Sequence, residues 1–288
     1  MLSFVLLLGL RASGLPLEHA LEHASEALSA PSVARALAEQ QASHPARDAA
    51  ATPLLHSHND YERARPLDDA LAAGMDSIEA DLWLGSRGTI LVSHTGWFVR
   101  GTLEDLYLRP LLARSRPRPL YLWLDLKQDD PDLIIALEKL LTQYETLLTR
   151  FRPLNEGGTI ERQGAVTAIL TGSAVNGRRY LEKGTLRLAS RDLADISADD
   201  PRGVPAWEWN TLRWSSAFRW TGLGKMPEEE RQKLRTLVDT VHSRGRKLRI
   251  YAAPETEAYW REAARAGVDM IGTDSVTRLG RLGETWRR

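Results

Sequence analysis

Two carboxylates spaced one residue apart in an apolar segment are the first sign of a reactive centre in this chain. Glu79 and Asp81 lie within the run Ile78–Leu84, and side chains two residues apart in a strand share one face. Two carboxylates on one face repel each other, and burying them unpaired is costly. A divalent cation would neutralise both, and Asp125 on a neighbouring predicted strand offers a third oxygen.

Three carboxylates form the kind of oxygen site that suits Mg²⁺ or Ca²⁺ rather than zinc. We therefore predict that Glu79, Asp81 and Asp125 bind one of these two cations. The alternative is that Glu79 and Asp81 form ion pairs with Lys or Arg, for instance with Lys127. Both interpretations stay open at this level, because two acids separated by one residue are by themselves a weak signal.

Three histidines favour the metal-dependent interpretation because they fall at strand ends beside the acidic residues. They are His56, His58 and His94, out of seven histidines in the chain. Imidazole titrates near neutral pH, so two histidines beside a cation can act as general base and general acid. A satisfied surface histidine is the usual explanation for one such residue, but a weaker one for three.

The overall composition excludes several other kinds of function. The chain has 288 residues, 43% of them apolar and 26% charged, which is typical of a globular protein. Its 38 basic and 38 acidic residues cancel, so no bulk positive field would gather nucleic acid, and we predict no nucleic-acid partner. Cysteine is absent, which excludes disulfides, thiolate metal sites and cysteine nucleophiles.

Short apolar runs alternate with helical patterns from Pro53 onwards. The predicted strands are Pro53–His58, Ser77–Leu84, Leu120–Lys127, Val166–Thr171, Leu186–Ser190, Val204–Trp209, Lys247–Ala252 and Met270–Gly272. The clearest predicted helices are Pro131–Thr149, Pro227–Arg244 and Thr256–Ala266. Strands that alternate with helices in this way predict an α/β fold, most simply a (β/α)₈ TIM-type barrel, with an open doubly wound sheet as the alternative.

In such a barrel the active site forms at the carboxyl ends of the strands, and the candidate residues occupy those positions. The residues predicted at or near strand ends are His56, His58, Asn59, Asp60, Glu79, Asp81, His94, Asp125, Lys127, Asp192, Glu208, Asn210 and Asp274. Because these ends meet on one face of a barrel, we expect the side chains to converge there.

The beginning of the chain has a different character. We predict that residues 1–52 form an N-terminal extension, with an apolar segment, a helical pattern and a linker, and that residues 53–288 form the barrel domain. The run Leu2–Leu10 is too short to span a bilayer. Its length suits an export signal, which would favour an exported or membrane-associated protein, but no Lys or Arg precedes it. A plain buried or frayed segment is the alternative.

The ordered motifs of the barrel region resemble those of the phospholipase C-like phosphodiesterase superfamily. It includes glycerophosphodiester phosphodiesterases, phosphatidylinositol-specific phospholipases C and sphingomyelinase D-type enzymes. The motifs are His-Asn-Asp-Tyr at 58–61, Ser-Ile-Glu-Ala-Asp at 77–81, Leu-Val-Ser-His at 91–94, Leu-Asp-Leu-Lys at 124–127 and Gly-Val-Asp-Met-Ile-Gly-Thr-Asp at 267–274. The branch with a similar first motif is the group named after altered inheritance of mitochondria protein 6.

The resemblance implies a barrel enzyme that hydrolyses or rearranges a phosphodiester with Mg²⁺ or Ca²⁺, on a phospholipid or glycerophospho-type substrate. The residues that match by position are His58 and His94 as catalytic histidines, Glu79, Asp81 and Asp125 as metal ligands, and Lys127 as a phosphate contact. Asn59 matches a metal-coordinating Asn of the phospholipase C members, and we group it and His56 with the substrate contacts. His56 is also the alternative match for the first catalytic histidine.

Other functions remain as alternatives. The glycerophosphodiester branch usually begins its site with His-Arg-Gly, whereas this chain has His58, Asn59 and Asp60, so that substrate is not a safe prediction. A non-catalytic barrel that binds phosphate esters or metal is the main alternative. An amidohydrolase-like hydrolase is a poorer one, because it needs histidines at middle strands and only His242 follows His94.

Two features, the apolar run Leu2–Leu10 and an aromatic cluster after the sixth predicted strand, are the basis for a hypothesis of peripheral membrane contact. The cluster consists of Trp207, Trp209, Trp214, Phe218 and Trp220. Such residues could form an apolar wall for lipid chains or an interfacial anchor. The alternative is that they cap the barrel and pack against the helix that starts near Pro227.

Overall fold

The computed structural model describes residues 52–114, 118–174, 187–194 and 203–287, together with residues 176 and 196. The apolar run Leu2–Leu10 and nearly all of the predicted N-terminal extension lie outside the described residues. Within the described ranges, no helix combines the length and the apolar character needed to cross a membrane.

Eight parallel strands close into a barrel. In chain order, the strands of the described residues are β1 Leu54–Ser57, β2 Ser77–Leu84, β3 Ile90–Val92, β4 Gly101–Thr102, β5 Leu120–Leu126, β6 Arg150–Phe151, β7 Ile160–Arg162, β8 Val166–Gly172, β9 Ala189–Leu193, β10 Trp209–Arg213, β11 Lys247–Tyr251 and β12 Met270–Thr273. The ring runs β1–β2–β5–β8–β9–β10–β11–β12 and closes where β12 pairs with β1. The predicted TIM-type barrel is confirmed.

Helices cover the outside of the ring. Within the described residues they are α1 Asp68–Ala72, α2 Arg109–Leu112, α3 Pro131–Gln143, α4 Trp214–Ala217, α5 Glu228–Ser243, α6 Glu257–Ala266 and α7 Val276–Trp286. Single turns of 3₁₀ helix cover Asp60–Glu62, Ser86–Gly88, Leu154–Glu156 and Pro205–Trp207, and a π-helical turn covers Glu104–Leu108. The helix predicted from Pro131 ends before Thr149, because Thr149 donates its backbone N–H to Val166 of β8.

Side chains of the barrel strands alternate between the interior and the layer beneath the helices. On β5, Leu122 and Leu124 belong to the main hydrophobic core, whereas Trp123 packs inside the barrel with Trp209 and Met270. Near the carboxyl ends of the strands the interior positions become polar. This change in character places the polar site at the end of the barrel that the sequence predicted.

Two strands, β9 and β10, are displaced toward the C-terminus relative to the prediction. β9 covers Ala189–Leu193 rather than Leu186–Ser190, and β10 covers Trp209–Arg213 rather than Val204–Trp209. Pro205 begins a 3₁₀ turn instead, because proline lacks the N–H that a strand would pair. The prediction that Glu208 ends a strand is therefore wrong. Its carboxylate lies at the amino end of β10 and pairs with Lys247 at 2.7 Å.

The aromatic cluster after β9 is part of the core. Trp209, Trp214, Phe218 and Trp220 are all buried. Trp214 stacks on Phe218 with 4.2 Å between ring centroids, and Lys233 of α5 lies over the Phe218 ring. The packing alternative is confirmed for these residues, and their interpretation as an interfacial anchor is wrong.

Candidate active site

Three inward-facing carboxylates meet at the carboxyl ends of β2 and β5. Asp81 and Asp125 are register partners in adjacent strands, and Glu79 precedes Asp81 on the same face of β2. One oxygen from each of the three carboxylates lies within 4.8 Å of the others. Glu79 and Asp81 are buried, and Asp125 is partly exposed. The convergence predicted from the two-residue spacing is therefore present in the fold.

Gly172 makes room for Asp125. This glycine ends β8 with φ +81°, a backbone conformation that residues with a side chain rarely adopt. A Cβ at this position would lie 2.1 Å from Asp125 Oδ1 and 2.7 Å from the Leu126 carbonyl oxygen. The absence of a side chain thus lets the carboxylate lie against the backbone of the neighbouring strand.

Lys127 lies between two of the carboxylates. Its ammonium is 3.0 Å from Asp81 Oδ2 and 2.7 Å from Asp125 Oδ2. Burial opposes the charge of Lys127, but the two carboxylates outweigh it and raise the pKa of the ammonium. The predicted ion-pair alternative is thus realised for Asp81, which pairs with Lys127, and for Glu79, which pairs with Arg249.

Asp81 is nevertheless incompletely satisfied. Burial, together with the charges of Asp125 and Glu79, raises the pKa of Asp81 to about 6 although Lys127 acts in the opposite direction. Its Oδ1 is buried and has no hydrogen-bond partner among the described residues. A buried oxygen without a partner beside two further carboxylates fits a hard divalent cation, which prefers oxygen ligands. The cluster could therefore hold such a cation.

Arg249 of β11, which is not among the predicted site residues, neutralises Glu79. The guanidinium is buried, donates to the Glu79 carboxylate and lies over the Trp123 ring at 4.4 Å. Burial alone would raise the pKa of Glu79, but Arg249 and a hydrogen bond from His56 hold it well below its usual range. A charged residue at an inward position between the apolar Leu248 and Ile250 was the signal that could have revealed it.

His56 lies beneath the site and is fully buried. Its Nδ1 is 2.8 Å from Ser77 Oγ, and its Nε2 is 2.7 Å from Glu79 and 3.0 Å from Arg249. Burial and the nearby guanidinium lower the pKa of His56 to about 4, so the imidazole is neutral at physiological pH. A neutral ring that donates to Glu79 and accepts from Ser77 satisfies both nitrogens.

His58 lies above, where it is partly exposed to the cavity. Its Nδ1 donates to Asp274 Oδ1 at 2.9 Å. Burial disfavours the charged imidazole, but the hydrogen bond to Asp274 and the charge of Glu79 prevail and raise the pKa of His58. The same hydrogen bond lowers the pKa of Asp274. The pair therefore orients the ring and favours its protonated form.

His94 approaches the carboxylates from the other side. Its Nδ1 lies 3.1 Å from Asp81 Oδ2 and 3.4 Å from the Tyr61 hydroxyl. Tyr61 in turn donates to the side-chain oxygen of Asn59 at 3.1 Å. Asn59 has φ +43°, a left-handed conformation that Asn tolerates better than most residues. These contacts bring His94 and Asn59 to one rim of the site.

A cavity of about 360 Å³ joins these groups. Six predicted site residues line it, namely His58, Asn59, Glu79, His94, Asp125 and Lys127. Asp81 lies behind His94 and Lys127, and His56 adjoins a smaller hollow of about 90 Å³ next to His58. The cavity is also lined by cationic and aromatic residues outside the predicted set, namely Arg191, Arg213, Arg249 and Tyr251.

The remaining strand-end candidates have mixed outcomes. Asp192 lines the cavity, accepts hydrogen bonds from Thr171 and Thr211 at 2.7 and 2.6 Å, and has its pKa raised by burial. Asp60 is buried away from the cavity and accepts the backbone N–H of Leu67. Asn210 donates to the Leu193 carbonyl oxygen within the sheet. Of these three, only Asp192 belongs to the site.

Comparisons with known sequences agree with the motifs. A family model described as an AIM6-like phosphodiesterase domain matches residues 45–116. Altered inheritance of mitochondria protein 6 of Saccharomyces cerevisiae is 27% identical over 269 residues, which cover 76% of this chain and 67% of that protein. The Eremothecium gossypii protein of the same name is 32% identical over 151 residues, covering 44% of this chain and 39% of that protein. The predicted resemblance is confirmed.

Solved structures share the barrel. A glycerophosphodiester phosphodiesterase from Parabacteroides distasonis superposes with a TM-score of 0.53 at 13% identity, covering 82% of this chain and 99% of that chain. A calcium-dependent phosphoinositol-specific phospholipase C from a Pseudomonas species gives a TM-score of 0.50 at 12% identity, covering 78% of this chain and 90% of that chain. At these identities the likeness establishes the fold alone.

Proposed function

We propose that this chain, which carries a phosphodiesterase-like domain, is a metal-dependent phosphoric diester hydrolase or a phosphodiester-rearranging lyase. Its substrate would be a phospholipid or a glycerophospho-type ester. One observation carries the proposal: His58 and His94 line the same cavity, and each is oriented by its own carboxylate. Two positioned imidazoles beside an acidic cluster and a lysine are the parts that acid–base cleavage of a phosphodiester needs.

In this proposal Lys127 binds a phosphate oxygen, since its ammonium lies between Asp81 and Asp125 and the residue lines the cavity. Glu79, Asp81 and Asp125 would hold a divalent cation, and when bound it would supply positive charge to the phosphate. Asn59 would contact substrate or cation from the rim. Three carboxylates against two cations, Lys127 and the buried Arg249, leave the cluster with residual negative charge for that ion.

The two histidines would divide the proton transfers. One takes the proton of the attacking hydroxyl as the new P–O bond forms, and the other donates a proton to the oxygen that leaves as the old P–O bond breaks. Asp274 holds His58 by Nδ1, so Nε2 is the nitrogen of that ring that would exchange the proton. Water as the attacking group yields a phosphomonoester, whereas a neighbouring substrate hydroxyl yields a cyclic phosphate.

Arg249 and His56 act through Glu79 in this scheme. Both contact the same carboxylate oxygen, and their own contacts with Trp123 and Ser77 fix them in the barrel interior. We therefore assign them as positioning residues. This placement favours His58 over His56 as the first catalytic histidine, because His56 lies beneath the cavity with both nitrogens engaged.

A second candidate function is non-catalytic binding of a phosphate ester. The observation that favours it is the pairing of Lys127 and Arg249 with the carboxylates, which already neutralises much of the cluster. The position of His242 disfavours an amidohydrolase-like function, because this residue lies on α5 and pairs with Asp269 rather than with the cavity residues.

The experiment is a phosphodiesterase assay on a substrate panel with Mg²⁺, Ca²⁺ or EDTA. The panel contains bis(p-nitrophenyl) phosphate, glycerophosphodiesters, phosphatidylinositol, lysophosphatidylcholine and sphingomyelin. The variants His58→Gln and His94→Gln should each lose at least about 100-fold in turnover, and His242→Gln is the matched control that should not. Full activity of His94→Gln would reject the two-histidine mechanism. Cation binding without turnover of any substrate would favour the binding protein.

A further inference from the structure

Two aromatic side chains that follow His94 closely in the chain project into solvent. Trp97 is 88% exposed and Phe98 81% exposed, which makes them the most exposed large apolar residues of the described chain. Val99 next to them is also exposed. Aromatic rings that stay exposed contribute no hydrophobic stabilisation to the fold. Such a patch therefore usually marks an interaction surface. We refer to residues 95–99 as the aromatic tip.

The backbone of the aromatic tip is held in a tight turn. Ser93 Oγ accepts the N–H of Gly96 at 3.0 Å and donates to the Phe98 carbonyl oxygen at 3.0 Å. Gly96, with φ +78°, rests against the Trp83 ring, where a Cβ would lie 3.1 Å away. Trp83 also donates its indole N–H to the Ser93 carbonyl oxygen. These contacts hold the outward-facing turn in place.

The aromatic tip is also joined to the proposed catalytic residues. It directly follows His94, which lines the cavity. Beyond the tip, Arg100 donates its backbone N–H to Val92 and its guanidinium to the carbonyl oxygens of Tyr61 and Glu62. A surface that binds the tip would therefore lie at the rim of the cavity.

We infer that Trp97 and Phe98 insert into the interfacial region of a lipid bilayer and bring the cavity to the membrane surface. Indole and phenyl rings at a protruding turn suit the boundary between head groups and acyl chains. The segment 93–99 contains no Lys, Arg, Asp or Glu, and the Arg100 side chain is paired with Glu62. Insertion would therefore be apolar, and a zwitterionic bilayer would suffice.

This inference goes beyond the proposed function, because it concerns a surface and not the chemistry. It also assigns the membrane contact to the aromatic tip, and not to the buried cluster around Trp214 that the sequence had suggested. A membrane-facing cavity would select substrates whose phosphodiester lies at a bilayer surface.

The test uses the full chain and vesicles of phosphatidylcholine. Flotation should show binding by the wild type, and the double variant Trp97→Ser/Phe98→Ser should partition at least about 10-fold more weakly. Ile135→Ser is the matched control, because Ile135 is 61% exposed on α3, and it should bind as the wild type does. Thermal unfolding checks that all three proteins are folded.

A second readout separates the aromatic tip from any other membrane contact. Vesicles of brominated phosphatidylcholine should quench part of the tryptophan fluorescence, and Trp97→Phe should remove that part although eight of the nine tryptophans remain. Equal flotation of the double variant, or quenching that persists in Trp97→Phe, would overturn the inference. Wild-type binding that requires phosphatidylserine would overturn it as well. Cleavage of bis(p-nitrophenyl) phosphate should be unaffected by these variants, so failure of the proposed chemistry is distinguishable.

Discussion

Asp274 accepts a hydrogen bond of 2.9 Å from Nδ1 of His58, although the two residues are 216 positions apart in the chain. They meet because β12, which ends just before Asp274, pairs with β1, which ends just before His58. Arg63 donates to the Asp274 carbonyl oxygen at 2.9 Å and so holds this junction from the outside. Closure of the barrel thus creates the carboxylate–imidazole pair.

Replacing Asp274 should lower the pKa of His58. In Asp274→Asn the hydrogen bond loses its charge, and the opposing effects of burial and Arg249 remain. NMR titration of the His58 ring, assigned with His58→Gln, measures the change. The limb of the pH–rate profile that reports His58 should move to lower pH. Asp269→Asn, which alters the His242 pair instead, is the control, and an unchanged His58 titration in Asp274→Asn would contradict the assignment.

Asp81 should be required for stabilisation by a divalent cation. Wild-type protein is expected to unfold at a higher temperature in millimolar Mg²⁺ or Ca²⁺ than in EDTA, because ligand binding favours the folded state. Asp81→Asn should lose this increase, because it removes the charge of a buried carboxylate. The Oδ1 atom of that carboxylate has no hydrogen-bond partner among the described residues and is free to bind a cation. Glu208→Gln serves as the control, because Glu208 pairs with Lys247 at the far end of the barrel. Persistence of the cation effect in Asp81→Asn would exclude this site.

The stabilising contribution of His56 should be lost in mild acid. Its pKa is about 4 in the fold against an ordinary 6.5, so the unfolded chain binds more protons between these values. The stabilising contribution is present above pH 6.5 and is lost as the pH falls toward 4, by about 3 kcal/mol in total. Asp81, whose pKa is raised to about 6, acts in the opposite direction below pH 6.

The measurement for His56 is therefore a difference. The free energy of unfolding in urea is determined from pH 4 to 7 for wild type and for His56→Gln. The variant should be less stable at pH 7, and its disadvantage should shrink as the pH falls. A constant difference across this range would show that the burial of a neutral imidazole is not what His56 contributes.

Gly172 should not tolerate a side chain. Gly172→Ala places a Cβ 2.1 Å from Asp125 Oδ1, and we expect a loss of about 3 kcal/mol or more from the clash and the positive φ. Gly224 has φ +64° but nothing within 4 Å of an added Cβ. Gly224→Ala should therefore cost only about 1–2 kcal/mol. Equal losses, measured by urea unfolding, would mean that backbone strain alone explains the effect.

Much of the barrel was predictable because its strands are short apolar runs. β2 matches the predicted Ser77–Leu84, and β5 and β11 differ from prediction only at their ends. The error at β10 came from Val204 and Pro205, whose apolar character looks like a strand although proline cannot pair there. The strand that forms instead, β10, contains the buried residues Trp209 and Leu212.

The sequence by itself determined which side chains share a face. The two-residue period puts Glu79 with Asp81 and Asp125 with Lys127, and the ordered motifs place His58 and His94 near them. These relations are local, so they follow from residue types and spacing.

Only the tertiary structure decided how the charges of the site are balanced. Arg249 reaches Glu79 across 170 positions of chain, and Lys127 bridges carboxylates on two strands. His56 and His58 are two positions apart in the chain, yet His56 is enclosed by the barrel and His58 faces the cavity. The reason is physical: periodicity assigns a face to each side chain, but its neighbours depend on how the strands close around the ring.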